Sequence, residues 1–391
     1  MKKVFSSNVC QVLYRNCPIV CSIDMHENSS YVYTVDTTTG EILTDCNILG
    51  KVSVLVNYIK KHYDAYKAKL VILYEAGPLG FTPYRSITKA GYTCRIIAPS
   101  SIPRQSKRQK TDRRDAIDNL QYFVAGSLRF VTVPDEYCEQ ARECLRYRYE
   151  LSYRVTKQKQ RILSVLKRNG CEFTETKSNW TKTHYAYLHS VSLPDITRHL
   201  LDIELEHLDY YKTQLTEIDK MLDAFFLTTP TLHQLFELFQ CVAGIGRVGA
   251  MTLVLEVGDL SRFYHPAALM NFLGLVPKKY SSGTSDPALH ITKTGNKYAR
   301  LVLVAASRSY RDRRLLCKKK VIDQLAPPLQ LFIKRMQNRL AARYSNLRKN
   351  GKHGNKAKCA VARELCGFLW ELITIVHPQI NDTGIITKKA A

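Results

Sequence analysis

Two acidic residues, Asp112 and Asp115, lie three positions apart inside a strongly basic stretch of the chain. Positions i and i+3 share one face of a helix, so both carboxylates can point at the same object. Acids placed among bases are typical of a site where divalent cations meet phosphates, because the bases bind the anion and the acids hold the cations. The alternative is an ordinary helix N-terminus, with Thr111 or Asp112 as the cap and Asp115 complementing the dipole.

Two further acids, Asp24 and Glu75, each follow an apolar segment typical of a buried strand. These strands are predicted over Pro18–Ile23 and Lys69–Tyr74. Ligands of open α/β sheets gather at the carboxyl ends of the strands. Asp24, Glu75, Asp112 and Asp115 are therefore expected to converge, where they could hold two divalent ions about 4 Å apart for in-line phosphoryl transfer.

The elements between these acids follow the order β-β-β-α-β-α-β-α. This order resembles the plan of ribonuclease H-like nucleases, in which three antiparallel strands precede alternating helices and strands. The remaining predicted elements are strands at Ser30–Val35, from Glu41 and at Tyr92–Ala98, and helices at Asn47–Lys67 and up to about Ala90.

A long basic helix is predicted from Tyr137 to Lys167, with tyrosines 147, 149 and 153 placed between arginines. Aromatic and guanidinium groups together suit stacking on unpaired bases as well as phosphate contact. The alternative is a solvated helix face with the tyrosines in a packing seam. A second helix carries apolar residues in steps of three and four from Leu201 to Phe225, which predicts a coiled coil with the first helix or with another protomer.

The C-terminal half contains two loops that could meet nucleic acid. Gly244-Ile245-Gly246 lies between apolar helical segments and resembles a helix–hairpin–helix turn, whose backbone N–H groups meet a DNA phosphate; the alternative is a tight turn between packed helices. The second loop runs from Lys278 to Ser285, and a serine hydroxyl there could attack a phosphodiester if a metal site activated it. A helix is predicted from Ile291 to Tyr310, and a last one from Val361 to Ile375.

The chain has 391 residues and a formal net charge of +24 at pH 7. An excess of basic residues gives information about binding partners rather than about the fold, and nucleic acid is the leading candidate partner. A membrane surface is the competing partner, but no amphipathic segment carries its bases as one compact block. The residues predicted to contact nucleic acid are Arg104, Lys107, Arg108, Lys110, Arg146, Arg148, Arg154, Lys157, Arg161, Gly244, Gly246, Lys278, Lys279, Lys293 and Arg300.

The 12 cysteines include no Cys-x-x-Cys pair and no set with zinc-ligand spacing. Reduced thiols in a cytosolic protein are the simplest interpretation. No apolar run reaches the length of a membrane span, and polar residues interrupt any signal-peptide core near the N-terminus. We therefore expect a cytoplasmic protein that associates with the nucleoid when it is bound to DNA.

Several short motifs together resemble the IS-one-ten insertion-sequence transposases, also called the DEDD or Piv/MooV family. The resemblance covers the chain from Pro18 to about Trp370, although Ser22 replaces the usual glycine and Pro78 closely follows Glu75. Neither departure removes a ligand. The motifs are Ile23-Asp24, Glu75-Ala76, Lys110-Thr111-Asp112-x-x-Asp115-Ala116, Val242-Ala243-Gly244-Ile245-Gly246, Phe272-Leu273-Gly274-Leu275-Val276-Pro277 and Tyr280-Ser281-Ser282-Gly283.

The resemblance implies an α/β plus α architecture: an RNase H-like (RuvC-like) catalytic domain, a helical coiled-coil middle and a mainly α-helical transposase domain. It implies Mg²⁺ or Mn²⁺ on the four acids and Ser282 as nucleophile, with Ser281 one position away. It also implies action on element ends and target DNA, guidance by a structured non-coding bridge RNA, and homo-oligomers that form a tetramer on DNA. The expected segments are 1–16 (extension), 17–130 (catalytic), 131–229 (helical), 230–376 (transposase) and 377–391 (tail).

Other functions remain open at this point. A RuvC-like junction-resolving endonuclease would need only the four acids, and a DNA invertase of the Piv type would share the same motifs. A non-catalytic nucleic-acid binding protein would make the four acids a coincidence. A serine-linked DNA adduct would support strand transfer, and free hydrolysed ends would support nuclease action. Binding without cleavage would support a simple binding protein.

Overall fold

The computed structural model describes residues 17–103, 111–278, 290–312 and 325–376. The chain divides into two compact units, the first ending at Val133 and the second beginning at Pro134. No helix within the described ranges has both the length and the apolar character required to cross a bilayer.

The first unit is built on a five-stranded sheet with the order β3-β2-β1-β4-β5. The β1–β2 and β2–β3 pairs are antiparallel, whereas β1–β4 and β4–β5 are parallel. The central strands β1 and β4 are continuous apolar runs because both of their faces are covered. The strands are β1 Ile19–Met25, β2 Ser29–Asp36, β3 Ile42–Leu49, β4 Leu70–Glu75 and β5 Thr93–Ile97.

Helices cover both faces of this sheet. The helices α1 (Val52–Tyr63) and α2 (Thr82–Lys89) share a core with Ile23 and Ile72, while α3 (Asp112–Val124) packs against Val20 and Val71. Neighbouring residues of a strand point to opposite faces, so this division follows directly from the sequence of β1 and β4.

The helix predicted over Asn47–Lys67 is shorter than expected. Residues 47–49 instead complete β3, because they pair with residues 29–31 of β2. The helix then ends at Tyr63, and a 3₁₀ segment covers Asp64–Lys69. Strand pairing at the sheet edge thus overrides a local apolar period that fits a helix.

In the second unit, α4 (Glu136–Arg168) and α6 (Asp195–Thr228) form an antiparallel helical hairpin, with α5 (Lys182–Ser190) between them. Contacts near both ends define the direction. Tyr137 Oη lies 3.0 Å from Thr228 Oγ1, and Gln158 Nε2 donates to the Glu204 carbonyl at 2.7 Å. The two long helices therefore close on each other within one chain, which the apolar spacing alone left undecided.

The base of the hairpin shares one core with the C-terminal helices, since Leu145 and Phe226 pack in the same cluster as α8. Every residue of α8 from Ala250 to Val257 is buried, as expected for a helix that is apolar on all sides. These helices are α7 Pro230–Gln240, α8 Arg247–Val257, α9 Pro266–Phe272, α10 Lys297–Ala306, α11 Pro327–Lys349 and α12 Gly354–Glu371.

Two predicted helix starts in this unit are wrong. The helix expected from Ile291 covers only α10, so Lys293 lies in the preceding loop with a positive φ of 57°. Gly295 is also left-handed, and a Cβ there would collide with the carbonyl of Phe272, so the helix begins only after Asn296, which caps it. The last helix starts earlier than expected, at Gly354 rather than Val361.

Candidate active site

The first two acids reach the same sheet edge because of strand register. Ile23 of β1 pairs with Tyr74 of β4, so Asp24 and Glu75 follow at the same level. Asp24 lies four residues after Val20, and Glu75 lies four residues after Val71. Alternate residues of a strand share a face, so both acids lie on the face of the sheet that α3 covers. Ser22, the departure from the family pattern, is buried two residues before Asp24 and leaves this arrangement intact.

The other two acids open α3. Thr111 is the N-cap, and its Oγ1 accepts a hydrogen bond from the Arg114 backbone N–H at 3.4 Å. Asp112 and Asp115 therefore occupy the first turn of a helix that is already capped. Capping does not use the Asp112 carboxylate, so Thr111 is the cap of the two candidates, and both acids lie in the first turn, where they also complement the helix dipole.

His26 joins the ends of β1 and α3. Its Nε2 lies 3.7 Å from Asp24 Oδ2 and 3.5 Å from Asp112 Oδ2. One potential ligand atom from each of these three side chains lies within 4.8 Å of the others. The sequence did contain a signal for His26, because residues two apart in an extended segment point to the same side.

Arg113 links the start of α3 to β3, which is an edge strand of the sheet. Its Nε lies 3.0 Å from one Asp45 carboxylate oxygen and 3.1 Å from the other, and Tyr31 Oη donates to the same carboxylate at 2.6 Å. Hydrogen bonds from Arg113, and then from Tyr31, hold the pKa of Asp45 below its usual value. This clamp orients Asp112 on α3, and the sequence motifs did not indicate it.

The donor set fits a divalent cation. Asp24 and Asp112 offer carboxylate oxygens, the ligands of Mg²⁺ and Mn²⁺, and His26 adds an imidazole nitrogen, which suits Mn²⁺ better than Mg²⁺. Asp115 lies in the same helix turn as Asp112. Glu75 is the last residue of β4 and lies at the same level as Asp24 in β1.

Comparisons with known proteins identify the family of the chain. A family profile described as a DEDD transposase of the IS110 type matches residues 21–169, and one described as "Transposase IS116/IS110/IS902 family" matches residues 237–320. The y4qE protein of Sinorhizobium fredii, named as a transposase, is 33% identical over 304 residues, covering 76% of this chain and 74% of its own. The chain belongs to the IS110 family of transposases.

More distant relatives carry the same kind of name. The transposase for insertion sequence element IS1533 of Leptospira borgpetersenii is 26% identical over 255 residues, covering 63% of this chain and 73% of its own. The transposase for insertion sequence element IS1111A of Coxiella burnetii is 24% identical over 232 residues, covering 58% of this chain and 62% of its own. This IS110-family transposase is accordingly an enzyme that processes DNA.

Some predicted site residues of the transposase lie outside the described residues. All of them come from the basic stretch before α3 and from the loop after α9. They are Arg104, Lys107, Arg108, Lys110, Lys279, Ser281 and Ser282.

The arginines of α4 that were predicted to contact nucleic acid bind acids of the same chain. Arg146 Nε lies 2.7 Å from Oε1 of the fully buried Glu256, and Arg148 Nε lies 2.8 Å from Asp219 Oδ1. Arg161 and Arg154 pair with Glu204 and Glu150, respectively. Lys157 Nζ lies 5.5 Å from the centre of the Tyr153 ring.

The remaining predicted contacts lie in turns and loops of the second unit. Gly244 has a φ of +85°, and a Cβ there would approach the Ala306 carbonyl oxygen to 2.5 Å, so close packing on α10 requires glycine. Gly246 precedes α8 and has open space around it. Arg300 Nη1 donates to the Leu273 carbonyl at 2.9 Å, and the Lys278 backbone N–H donates to His290.

Proposed function

We propose that this transposase cuts and rejoins DNA strands by two-metal phosphoryl transfer at Asp24, Glu75, Asp112 and Asp115. The observation that carries the proposal is the approach of Asp24 and Asp112 to within ligand distance of one another, with His26 between them. The strand order β3-β2-β1-β4-β5, with its mixed directions, is the one expected of a ribonuclease H-like (RuvC-like) catalytic domain.

Divalent ions, Mg²⁺ or Mn²⁺, would polarise the phosphate and activate the attacking oxygen when bound. Asp24 and Asp112 would hold them with carboxylate oxygens, and the Arg113–Asp45 clamp would keep Asp112 in place. The bases from Arg104 to Lys110, which immediately precede α3 in the sequence, would bind the DNA backbone.

The first experiment tests the acids. Asp112→Asn removes one carboxylate with little change in shape, and we expect strand cleavage in Mg²⁺ or Mn²⁺ to fall to background. DNA binding should persist or improve, because repulsion between the acid and the phosphates is relieved. The matched control is Glu27→Gln, which removes an exposed acid next to His26 that is not part of the described cluster. Wild-type cleavage by Asp112→Asn would overturn the proposal.

His26 would act as a nitrogen ligand in the same site. Since imidazole favours Mn²⁺ over Mg²⁺, His26→Ala should weaken Mn²⁺ binding more than Mg²⁺ binding. Electron paramagnetic resonance of bound Mn²⁺, with Mg²⁺ as competitor, measures this without any DNA. An unchanged Mn²⁺ affinity would exclude His26 from the site.

Ser282 is proposed as the nucleophile, on the strength of the Tyr280-Ser281-Ser282-Gly283 motif. Its oxygen would form a phosphoester bond to the DNA while the bond to the leaving strand breaks, and the departing oxygen would take up a proton. A serine hydroxyl is weak at neutral pH, so activation has to come from the metal site. Trapping a serine-linked DNA adduct supports strand transfer, whereas free hydrolysed ends favour a junction-resolving nuclease.

The acid site and the serine need not come from one chain. We propose assembly as dimers and then a tetramer on DNA, guided by a structured bridge RNA. Mixing Ser282→Ala protein with Glu75→Ala protein should restore part of the activity that each variant lacks. An absence of recovery in well-mixed oligomers would argue for a site within one chain, and activity of Ser282→Ala with inactive Ser281→Ala would shift the nucleophile by one residue.

A further inference from the structure

A cavity of about 640 Å³ lies in the second unit, where the end of α11 meets the start of α12. The short 3₁₀ segment Ser307–Arg311 contributes to its wall. No acidic residue is among the residues that line it, all of which belong to the described part of the chain. The cationic side chains that line it are Arg311, Arg348, Lys349 and Lys358.

These four cations differ from the arginines of α4. Within the described residues, none of the four forms an ion pair with an acid of this chain, whereas Arg146, Arg148 and Arg161 all do. Two of the four are nevertheless held in place by neutral groups. Arg348 Nη1 donates to the Lys352 carbonyl at 2.7 Å, and Lys358 Nζ donates to Asn355 Oδ1 at 3.2 Å.

The local sequence explains why like charges meet here. Gly351, with a φ of +72°, reverses the chain directly after α11, so the last turn of α11 and the first turns of α12 are neighbours. Arg348 and Lys349 end one helix and Lys358 lies near the start of the next. Bringing these charges together costs free energy unless an anion joins them.

We propose that this cavity binds a phosphate group of a nucleic-acid strand, through residues other than the four acids of the first unit. The guanidinium groups of Arg311 and Arg348 match phosphate geometry, and Lys349 and Lys358 add point charges. Ser345 and Asn355 line the same cavity and can donate to phosphate or sugar oxygens. The volume lies within the range of about 300–1,000 Å³ typical of small-ligand pockets, which leaves room for the attached sugar.

This inference rests on the proposed action on nucleic acid, and a matched pair of variants tests it. Lys349→Gln/Lys358→Gln removes two charges from the cavity. Lys352→Gln/Lys356→Gln removes two charges from the same turn, but those lysines do not line the cavity. Neither variant should lower the unfolding temperature, because no acid in the described residues pairs with these lysines, and the cavity variant should raise it slightly because repulsion between its cations is relieved.

Binding of a short labelled DNA strand, of the duplex made from it and of a structured RNA is measured against salt. For a single strand each neutralised phosphate contributes about 0.7 to the salt slope, so losing the one phosphate in the cavity should lower the slope by about 0.7. The affinity of the cavity variant near 0.1 M salt should then fall about fivefold, with a much smaller change for the control pair. Equal losses in the two variants would overturn the proposal.

Lysine acetylation, read by peptide mass, locates the contact directly. In the wild-type chain the bound strand should protect Lys349 and Lys358 but not Lys352 and Lys356. The nucleic acid that protects them best identifies the source of the phosphate, and protection by inorganic phosphate alone at the same concentration would overturn a strand site. Uniform modification of all four lysines would overturn the proposed phosphate contact but would not affect the proposal of metal-dependent cleavage. Conversely, wild-type cleavage by Asp112→Asn would overturn the proposed function and would not affect the phosphate contact.

Discussion

The helix α4 and the turn between α11 and α12 are both rich in arginine and lysine, yet the fold uses their charges differently. On α4, Arg146 and Arg148 lie against acids contributed by α8 and α6. Around the C-terminal cavity, the described residues provide no acid to Arg348 or Lys349. A net charge of +24 therefore indicates a nucleic-acid partner without saying where that partner binds.

The difference arises from packing. Glu256 is fully buried on α8 and needs a cation, and Arg146 together with the Asn296 side chain satisfies both of its oxygens. Since Asn296 also caps α10, this network ties the hairpin to the C-terminal helices. The arginines of α4 thus contribute to the fold even where their sequence pattern is typical of a nucleic-acid surface.

The sharpest test of this contrast is Arg146→Ala. We expect it to lower the free energy of unfolding by about 2–3 kcal/mol, below the roughly 3–5 kcal/mol for a fully buried pair, because Arg146 is half exposed. The control Arg154→Ala breaks an exposed pair with Glu150 worth only about 0.3–0.5 kcal/mol. Chemical denaturation measures both. Unchanged stability with lost DNA affinity in Arg146→Ala would reverse the roles assigned to α4.

A smaller effect should separate two tyrosines of α4. Tyr149 Oη lies 2.8 Å from Thr252 Oγ1 on α8, so Tyr149→Phe should cost about 1 kcal/mol of stability. Tyr147 is 40% exposed, and Tyr147→Phe should change stability very little. If α4 also stacks on bases of looped RNA, Tyr147→Ala should weaken that binding more than duplex binding. Equal stability losses in the two phenylalanine variants would contradict the distinction.

The smallest effect should be visible at acid pH. Burial alone would raise the pKa of Asp219, but hydrogen bonds from Arg148 and Arg247 outweigh it and hold the pKa below the ordinary 3.8. A depressed folded-state pKa contributes stability above the unfolded value, and that contribution is lost as the pH falls through the folded pKa. The stability difference between wild type and Asp219→Asn should therefore be largest above pH 3.8 and shrink below it.

Denaturation across this pH range, with the exposed Asp209 changed to Asn as control, checks the expectation. The control should show little difference from wild type at any pH. A gap for Asp219→Asn that widens as the pH falls would mean that the two arginines do not stabilise its charge.

The sequence by itself determined the elements that carry the acids. The apolar runs before Asp24 and Glu75 and the basic stretch before Asp112 are local patterns, so β1, β4 and the start of α3 lie close to where they were predicted. Only the tertiary structure decided which distant residues these elements contact. His26 approaches Asp112, Arg146 approaches Glu256 and α4 pairs with α6 across long chain separations. Spacing along the chain shows which face of an element is apolar but not which distant element covers it, because that depends on how the apolar faces pack together.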